Sequence, residues 1–357
     1  MHSDLSGEKV LFYQPWGIGD LIMFTPVMLN FRRHFPNARI DLACRTDTKV
    51  LMKNCPWISK IFELPLPQQR TVASMVGIMR SVRKEKYQLL FPGTLITTHY
   101  MGNLFVHLAG AERTIGNIAP KAICNKYTYP CSINRSLHRV EQNKQLFEAF
   151  VGDNADFQME FYRPISQKDQ EKADSILASL EFNDKKILGV HAGCDKANTH
   201  KRWPANKFSK LLSDFLSDYP DSYILGFLGP GEDNLASAYP KDKFGDRVAI
   251  IRDTLSVVAA LLGRCSLVLT TDSGIGHIAR AMGTPALAIM GPANPAEVSP
   301  YGPDGYFVTL DPPLSCMPCR TYQKTCSIQE NYCLTNLTVE HVKNRLYPLW
   351  EKYNGRK

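Results

Sequence analysis

Residues 266–292, SLVLTTDSGIGHIARAMGTPALAIMGP, carry the reading that decides the fold. Residues 266–270 form an apolar run of strand length. Thr271, Asp272, Ser273, Gly274 and Gly276 then make a polar, glycine-rich turn into a short helix, after which the chain returns to a strand. A buried strand that delivers the backbone to a helix start aims free N–H groups at one point, which suits a phosphate. Asp272 and His277, five apart around that start, add a carboxylate for a hydroxyl and an imidazole for an oxyanion or leaving group. Taken alone, the segment reads equally as a capped helix, with Asp272 and Ser273 as caps and His277 as a satisfied, partly buried histidine. A second strand, turn and helix of the same kind at 9–35, KVLFYQPWGIGDLIMFTPVMLNFRRHF, tips the balance toward two Rossmann-like halves.

Between these units, strand and helix signals alternate, the pattern of an α/β chain with open parallel sheets. Strands are expected near 9–14, 39–44, 60–63 and 87–91, and helices near 20–34, 47–54, 71–84 and 98–109, before a helix at 138–151 closes the first half. A charged connection with a helix at 167–180 leads to strands at 186–191, 223–228 and 247–251 and helices at 205–218, 232–239 and 254–263. An amphipathic helix at 339–353 ends the pattern. The expected division is 1–165, 166–338 and a C-terminal helical segment 339–357. The fold class is α/β, two doubly wound domains facing across a cleft. Ligands of such sheets bind at the carboxyl ends of the strands, so the turn at 271–276 and the loop Gly17-Ile18-Gly19-Asp20 are both expected to look into it.

A chain of 357 residues is too long for one ordinary core, and 44% hydrophobic with 21% charged residues is the composition of a folded globular protein. The net charge of +8 favours anionic partners: nucleotides, phosphorylated glycans or an anionic membrane surface. The basic cluster Arg80, Arg83, Lys84 and Lys86 reads as a solvated helix face. No nucleic-acid-binding motif accompanies the charge, so nucleic acid is not an expected partner. Neither a signal-peptide pattern nor a transmembrane-length apolar run is present, and the expected location is cytoplasmic. Six cysteines (Cys44, Cys55, Cys124, Cys131, Cys194, Cys265) are scattered singly, as in a reducing compartment. The other four, in CMPCRTYQKTCSIQENYC at 316–333, have a C-x2-C-x6-C-x6-C spacing. Four thiolates at Cys316, Cys319, Cys326 and Cys333 would suit one tetrahedral structural metal, zinc or iron; free thiols or disulfides are the alternative.

The ordered set GIGDLIMFTPVMLNFRRHFPNARI, HAG, KRWP, LGPGED and TTDSGIGHIARAMGTPALAIMGP resembles glycosyltransferase family nine, the heptosyltransferases. The resemblance implies a GT-B fold, with an acceptor-binding N-terminal domain and a C-terminal domain that holds a nucleotide sugar, typically ADP-heptose. It implies that Asp20 is the general base for the acceptor hydroxyl, although an aspartate before an apolar helix also reads as an N-cap. It implies that Lys201 of KRWP contacts the donor diphosphate, while Arg202 is given no role beyond the surface. His191 and Gly193 end a strand where the backbone can approach phosphate. Glu232 resembles the acidic residue near the donor nucleoside, able to accept a ribose hydroxyl, and reads equally as a first-turn helix residue. Asp272, Ser273, Gly274, Gly276 and His277 fall in the motif that contacts diphosphate and sugar. Gly17 and Gly19 form the acceptor-side loop.

The implied activity is inverting transfer of a heptose or related sugar from a nucleotide diphosphate to a hydroxyl of a glycan or glycolipid acceptor, such as the lipopolysaccharide inner core. Asp20, Lys201 and His277 are the expected catalytic residues. No cofactor is required for catalysis, because a lysine and a helix N-terminus can stabilise the departing diphosphate. Peripheral contact with the cytoplasmic face of the inner membrane would fit such an acceptor. The alternatives are a protein acceptor, a sugar-nucleotide epimerase and a catalytically silent sugar-nucleotide-binding subunit. A dinucleotide-dependent dehydrogenase is disfavoured, since GIGD lacks the third fingerprint glycine.

Overall fold

The computed structural model describes residues 5–94, 100–118, 124, 126–152, 155–319, 326 and 331–355. The chain divides into two compact units, 1–164 and 165–357. In the first, the order is β1 (Lys9–Gln14), α1 (Ile18–His34), β2 (Arg39–Arg45), β3 (Ile58–Leu64), α2 (Val72–Glu85), β4 (Leu89–Pro92), α3 (Tyr100–Leu108), β5 (Arg113–Asn117), β6 (Tyr129–Cys131) and α4 (Arg139–Val151). The second has α5 (Gln167–Ser179), β7 (Lys186–His191), α6 (Ala205–Asp218), β8 (Ser222–Phe227), α7 (Lys241–Phe244), β9 (Val248–Ile251), α8 (Leu255–Leu262) and β10 (Leu267–Thr271). It continues through α9 (Gly274–Ala281), β11 (Ala286–Ile289), α10 (Pro295–Val298), β12 (Gly305–Val308), α11 (Tyr332–Thr335) and α12 (Val339–Tyr353).

Each unit holds one six-stranded parallel sheet. The first runs β3-β2-β1-β4-β5-β6 and the second β12-β11-β10-β7-β8-β9. Numbered from its own first strand, each is the same doubly wound order, with the reversal between its first and fourth strands. Those are β1 and β4 in one unit and β7 and β10 in the other. Such a reversal opens a crevice at the strands' carboxyl ends, where flanking loops diverge. Both turns singled out in the sequence sit there.

The central strands are apolar because helices cover both faces. Phe12 of β1 is fully buried and packs edge-on against Phe24 and Phe31 of α1, with ring centroids 5.6 and 5.2 Å away. Helix α1 runs through Pro26, whose missing N–H would leave the Ile22 carbonyl without its i+4 donor. Thr25 fills the gap, its hydroxyl donating to that carbonyl at 2.8 Å. The Thr-Pro pair thus keeps a 17-residue helix intact behind the Gly17–Asp20 turn. Helix α12 is part of the second unit's core: Trp350 and Tyr353 are fully buried, and Trp350 packs against Phe215 of α6 at 5.0 Å.

Three expectations are corrected. The helix expected at 47–54 is a single 3₁₀ turn at Lys49–Leu51. Flanking hydroxyls bond the backbone there, Thr48 to the Arg45 carbonyl and Thr46 to the Leu64 carbonyl, and these local bonds compete with a helical ladder. The helix expected at 232–239 is likewise a 3₁₀ segment, Asp233–Ala238. Strands β5, β6 and β12 were not among the expected elements. The expected start of α3 at 98 lies outside the described residues.

Candidate functional site

The second unit's reversal point gathers most of the residues expected to hold a donor. His191 ends β7 and is paired in register with Thr270 of β10. The Thr271 hydroxyl donates to the Gly193 carbonyl, tying the two strand ends together. Ser273 stands at the N-cap of α9 with extended backbone, φ −143° and ψ 165°, yet its side chain makes no capping bond. Its hydroxyl instead lies 2.9 Å from Thr270 Oγ1 and 3.1 Å from His191 Nδ1. The capped-helix reading therefore fails for Ser273, and the first N–H groups of α9 are not consumed by its side chain. Gly276 lets α9 lie close on the sheet: a Cβ there would sit 3.1 Å from Thr270 Cγ2 and 3.2 Å from Pro300 Cγ. His277, in the same helix, is buried.

Lys201 and Asp272, 71 positions apart in the chain, form an ion pair of 2.7 Å, with side chains 13% and 9% exposed. The lysine reaches this position because the two residues that follow it are fastened. Trp203 is buried and its indole donates to the Leu337 carbonyl at 3.0 Å. Arg202 donates to the Cys194 carbonyl at 3.4 Å and lies 3.5 Å from Glu232 Oε1. The surface role expected of Arg202 is thus overturned: its side chain is only 15% exposed, and its planar guanidinium ties the Lys201 loop to Glu232. The one hint in the sequence was its position beside a tryptophan, which must be buried somewhere.

Glu232 is buried and both carboxylate oxygens are engaged. Oε2 accepts from the Gly229 N–H at 2.7 Å and lies 3.2 Å from His191 Nε2, while Oε1 faces Arg202. Burial pushes its pKa up, but the bond to His191, the imidazole's charge, the Gly229 N–H and Arg202 together hold it below the ordinary glutamate value. Gly193 is required here for a reason different from phosphate approach. A Cβ would lie 1.9 Å from Glu232 Oε1, so the carboxylate occupies the space a side chain would need. Neither reading of Glu232 anticipated this: the residue precedes a 3₁₀ turn as its N-cap, without capping it, and links the glycine turn to His191.

In the first unit, the β1–α1 turn presents Asp20. Gly17 is the N-cap and Asp20 lies in the first turn of the helix, so Asp20 is not the cap. It is half-buried, and its backbone carbonyl accepts from Gln14 Nε2 at 3.3 Å. A Cβ on Gly17 would lie 3.8 Å from an Arg45 nitrogen and 4.0 Å from Asp20 Oδ2, so Asp20 and Arg45 flank that glycine. Gly19 continues the same turn. Arg70 reaches this loop too, donating to the Pro15 carbonyl at 3.3 Å. Burial, opposed by Tyr13 and aided by Arg45, lowers its pKa. Neither arginine was singled out in the sequence, where isolated charges give no hint of spatial company.

The cysteine segment is anchored beside the second unit's site: Cys319 N–H donates to the Pro292 carbonyl at 2.7 Å, and the Leu334 side chain packs over Gly291. Cys333 is buried, and burial together with the charges of Cys326 and Cys316 pushes its thiol up to about 11. Three of the four thiols thus lie within electrostatic reach. Among the described residues, however, no three metal-ligating side chains gather as a metal-holding group. Residues 320–325 and 327–330 of the segment lie outside the described set. Among the described residues, no helix is long and apolar enough to cross a membrane.

Two Rossmann-like units in one chain form the GT-B architecture, and the chain is a glycosyltransferase. The family model for glycosyltransferase family 9 (heptosyltransferase) matches residues 75–329, and the chain belongs to that family. It is 25% identical over 349 residues to lipooligosaccharide heptosyltransferase 2 of Campylobacter jejuni, covering 95% of this chain and 98% of that protein. The solved structure of E. coli ADP-heptose lps heptosyltransferase II superposes with a TM-score of 0.69 at 16% identity, over 96% of this chain and 99% of that one. The iron-containing dodecameric glycosyltransferase TibC of enterotoxigenic E. coli H10407 matches with a TM-score of 0.55 at 12% identity, over 96% and 78% of the two chains.

Proposed function

We propose that this glycosyltransferase moves a heptose from ADP-heptose to a hydroxyl of a lipopolysaccharide or lipooligosaccharide inner core, with inversion at the anomeric carbon. The observation that carries the reading is the Lys201–Asp272 pair, mostly withdrawn from solvent, beside an N-terminus of α9 that the Ser273 side chain does not cap. In the proposed mechanism, Asp20 accepts the proton of the acceptor hydroxyl as its oxygen attacks the anomeric carbon, a positioned base contributing roughly 10²–10⁴ in rate. The bond to the diphosphate breaks on the opposite face. Lys201, His277 and the backbone N–H groups of Gly274 and its neighbours receive the developing charge, so the residues present supply the stabilisation that a divalent cation provides elsewhere. Glu232 and His191 shape the nucleoside side of the same site. Relatives named for lipooligosaccharide and for ADP-heptose support these substrates. The test is a panel of nucleotide sugars scored by thermal stabilisation, followed by determination of the product's anomeric configuration. ADP-heptose is expected to raise the unfolding temperature most; stabilisation by uridine nucleotides alone would contradict the donor assignment.

A cytoplasmic enzyme in peripheral contact with the inner membrane fits helix α2. Its exposed side carries Val72, 83% exposed, and Val76, 41% exposed, ahead of exposed Arg80, Arg83 and Lys84. A structural zinc or iron on Cys316, Cys319, Cys326 and Cys333 fits an all-thiol donor set, and the iron of TibC supports it. Elemental analysis of the purified protein tests this, with one metal per chain expected and none contradicting it.

A further inference from the structure

We propose that Gln14 is a positioning residue for the base of the transfer: seated in a notch left by Gly93, its side-chain amide holds the main chain of Asp20 and so sets where that carboxylate points. This rests on the reading of Asp20 as the base. Gln14 ends β1 beside the first unit's reversal point, after the apolar run at 10–13, and is only 3% exposed. β1 and β4 leave the sheet in register, Tyr13 against Pro92, and the Gly93 N–H donates to the Tyr13 carbonyl at 3.1 Å. Gly93 therefore stands next to Gln14, and its missing side chain is what admits the amide. A Cβ there would lie 2.5 Å from Gln14 Nε2 and 3.2 Å from Cδ. From that notch Nε2 donates to the Asp20 carbonyl at 3.3 Å, across the β1–α1 turn.

A second buried amide shows what an ordinary structural role looks like at this place. Asn143 of α4 ties the same helix to the same strand exit, and both ends of its amide are used. Its Nδ2 donates to the Met23 carbonyl at 3.2 Å and its Oδ1 accepts from the Thr94 N–H at 3.1 Å. Gln14 is only half satisfied: its Oε1 is buried and, among the described residues, receives no donor. A buried acceptor left without a donor loses more than one long hydrogen bond gains, because burial strips the oxygen of water and nothing replaces it. Nor does the Asp20 carbonyl depend on Gln14 to be satisfied, since helix geometry gives it the N–H four residues on. For stability alone, an unbranched apolar side chain of similar size would serve β1 better. What the glutamine adds is a tie on the main chain of Asp20, in the first turn of α1, where few intrahelical bonds hold the backbone. A base must lie within hydrogen-bond reach of the hydroxyl it deprotonates, and a misplacement of about 1 Å costs about 10²-fold in rate.

The test compares Gln14→Met with the wild type in kcat, KM for ADP-heptose and unfolding temperature, with a lipooligosaccharide acceptor. Methionine keeps the length of the side chain and fills the notch without a donor or an acceptor. The expected result is an unfolding temperature equal to or above that of the wild type, an unchanged KM and a fall in kcat of about 10–10²-fold. Gly93→Ala, which drives the amide from its notch, should lower kcat by a similar factor, and should add nothing when Gln14 is already alanine. A further loss in that background overturns the route through Gln14. Wild-type kcat in Gln14→Met overturns the positioning role. So does a Gln14→Met that melts earlier or does not fold, since Gln14 would then be structural. Asp20→Asn with full turnover overturns the base reading instead. If the wild type does not turn over these substrates, hydrogen exchange across 18–24 decides: faster exchange in Gln14→Met at unchanged unfolding temperature is expected, and equal exchange overturns the tie.

Discussion

Replacing Lys201 with methionine separates the lysine's structural role from its proposed chemical one. At 2.7 Å and an effective dielectric constant of about 20, the gross attraction between Lys201 and Asp272 is about 6 kcal/mol. Desolvation of two side chains that are 13% and 9% exposed offsets much of this, yet removing one partner strands the other, a loss of about 3–5 kcal/mol for a buried pair. For a domain of this size, that lowers the unfolding temperature by about 6–20 °C. Lys201→Met with Asp272→Asn removes both charges and should recover most of the lost stability. If Lys201 also receives charge on the departing diphosphate, turnover falls about 10²–10³-fold in the single variant and does not recover in the double one. Thermal unfolding and ADP release from ADP-heptose are the two assays. A single variant that melts with the wild type refutes the buried pair, and a double variant with wild-type turnover refutes the leaving-group role.

Gly193→Ala would place a methyl 1.9 Å from Glu232 Oε1, displacing a carboxylate bonded to Gly229 and His191. Equilibrium unfolding should show a loss of about 1–3 kcal/mol together with weaker ADP binding, and wild-type values for both would contradict the packing described. Glu232 also sets an acid limit. Its folded pKa lies below the ordinary 4.5, so its contribution to stability is complete above that value and disappears as pH falls through the lowered one. The gap in unfolding temperature between wild type and Glu232→Gln should be full near neutrality and close on acidification below about 4.5. A gap that is independent of pH would show that the carboxylate's charge is not what matters.

The two reversal-point units were legible because each joins a buried apolar strand to a glycine-rich turn and an apolar helix. That local pattern has few other solutions. The strands missed were short, and β5, unlike the other two, lies inside its sheet between β4 and β6. β6 and β12 are outermost strands of their sheets, and Tyr129–Cys131 and Gly305–Val308, three and four residues long, are too brief to show a period. Within the site, Lys201 and Asp272 were both named from motifs, but their pairing was not visible, since nothing local relates residues 71 positions apart. Arg202 was misjudged for the same reason: its partners, Glu232 and the Cys194 carbonyl, are brought to it by the fold. The use of Gly193 depends on Glu232 folding back toward Gly229, a tertiary event that no single motif encodes.

The central claim is that a carboxylate at the β1–α1 turn performs the chemistry while the second unit holds the donor. It is tested most directly by the turnover of Asp20→Asn with ADP-heptose and a lipooligosaccharide acceptor, alongside ADP affinity and unfolding temperature. The expected result is a loss of about 10²–10⁴ in turnover with ADP affinity and unfolding temperature unchanged. Full turnover in Asp20→Asn would contradict the account.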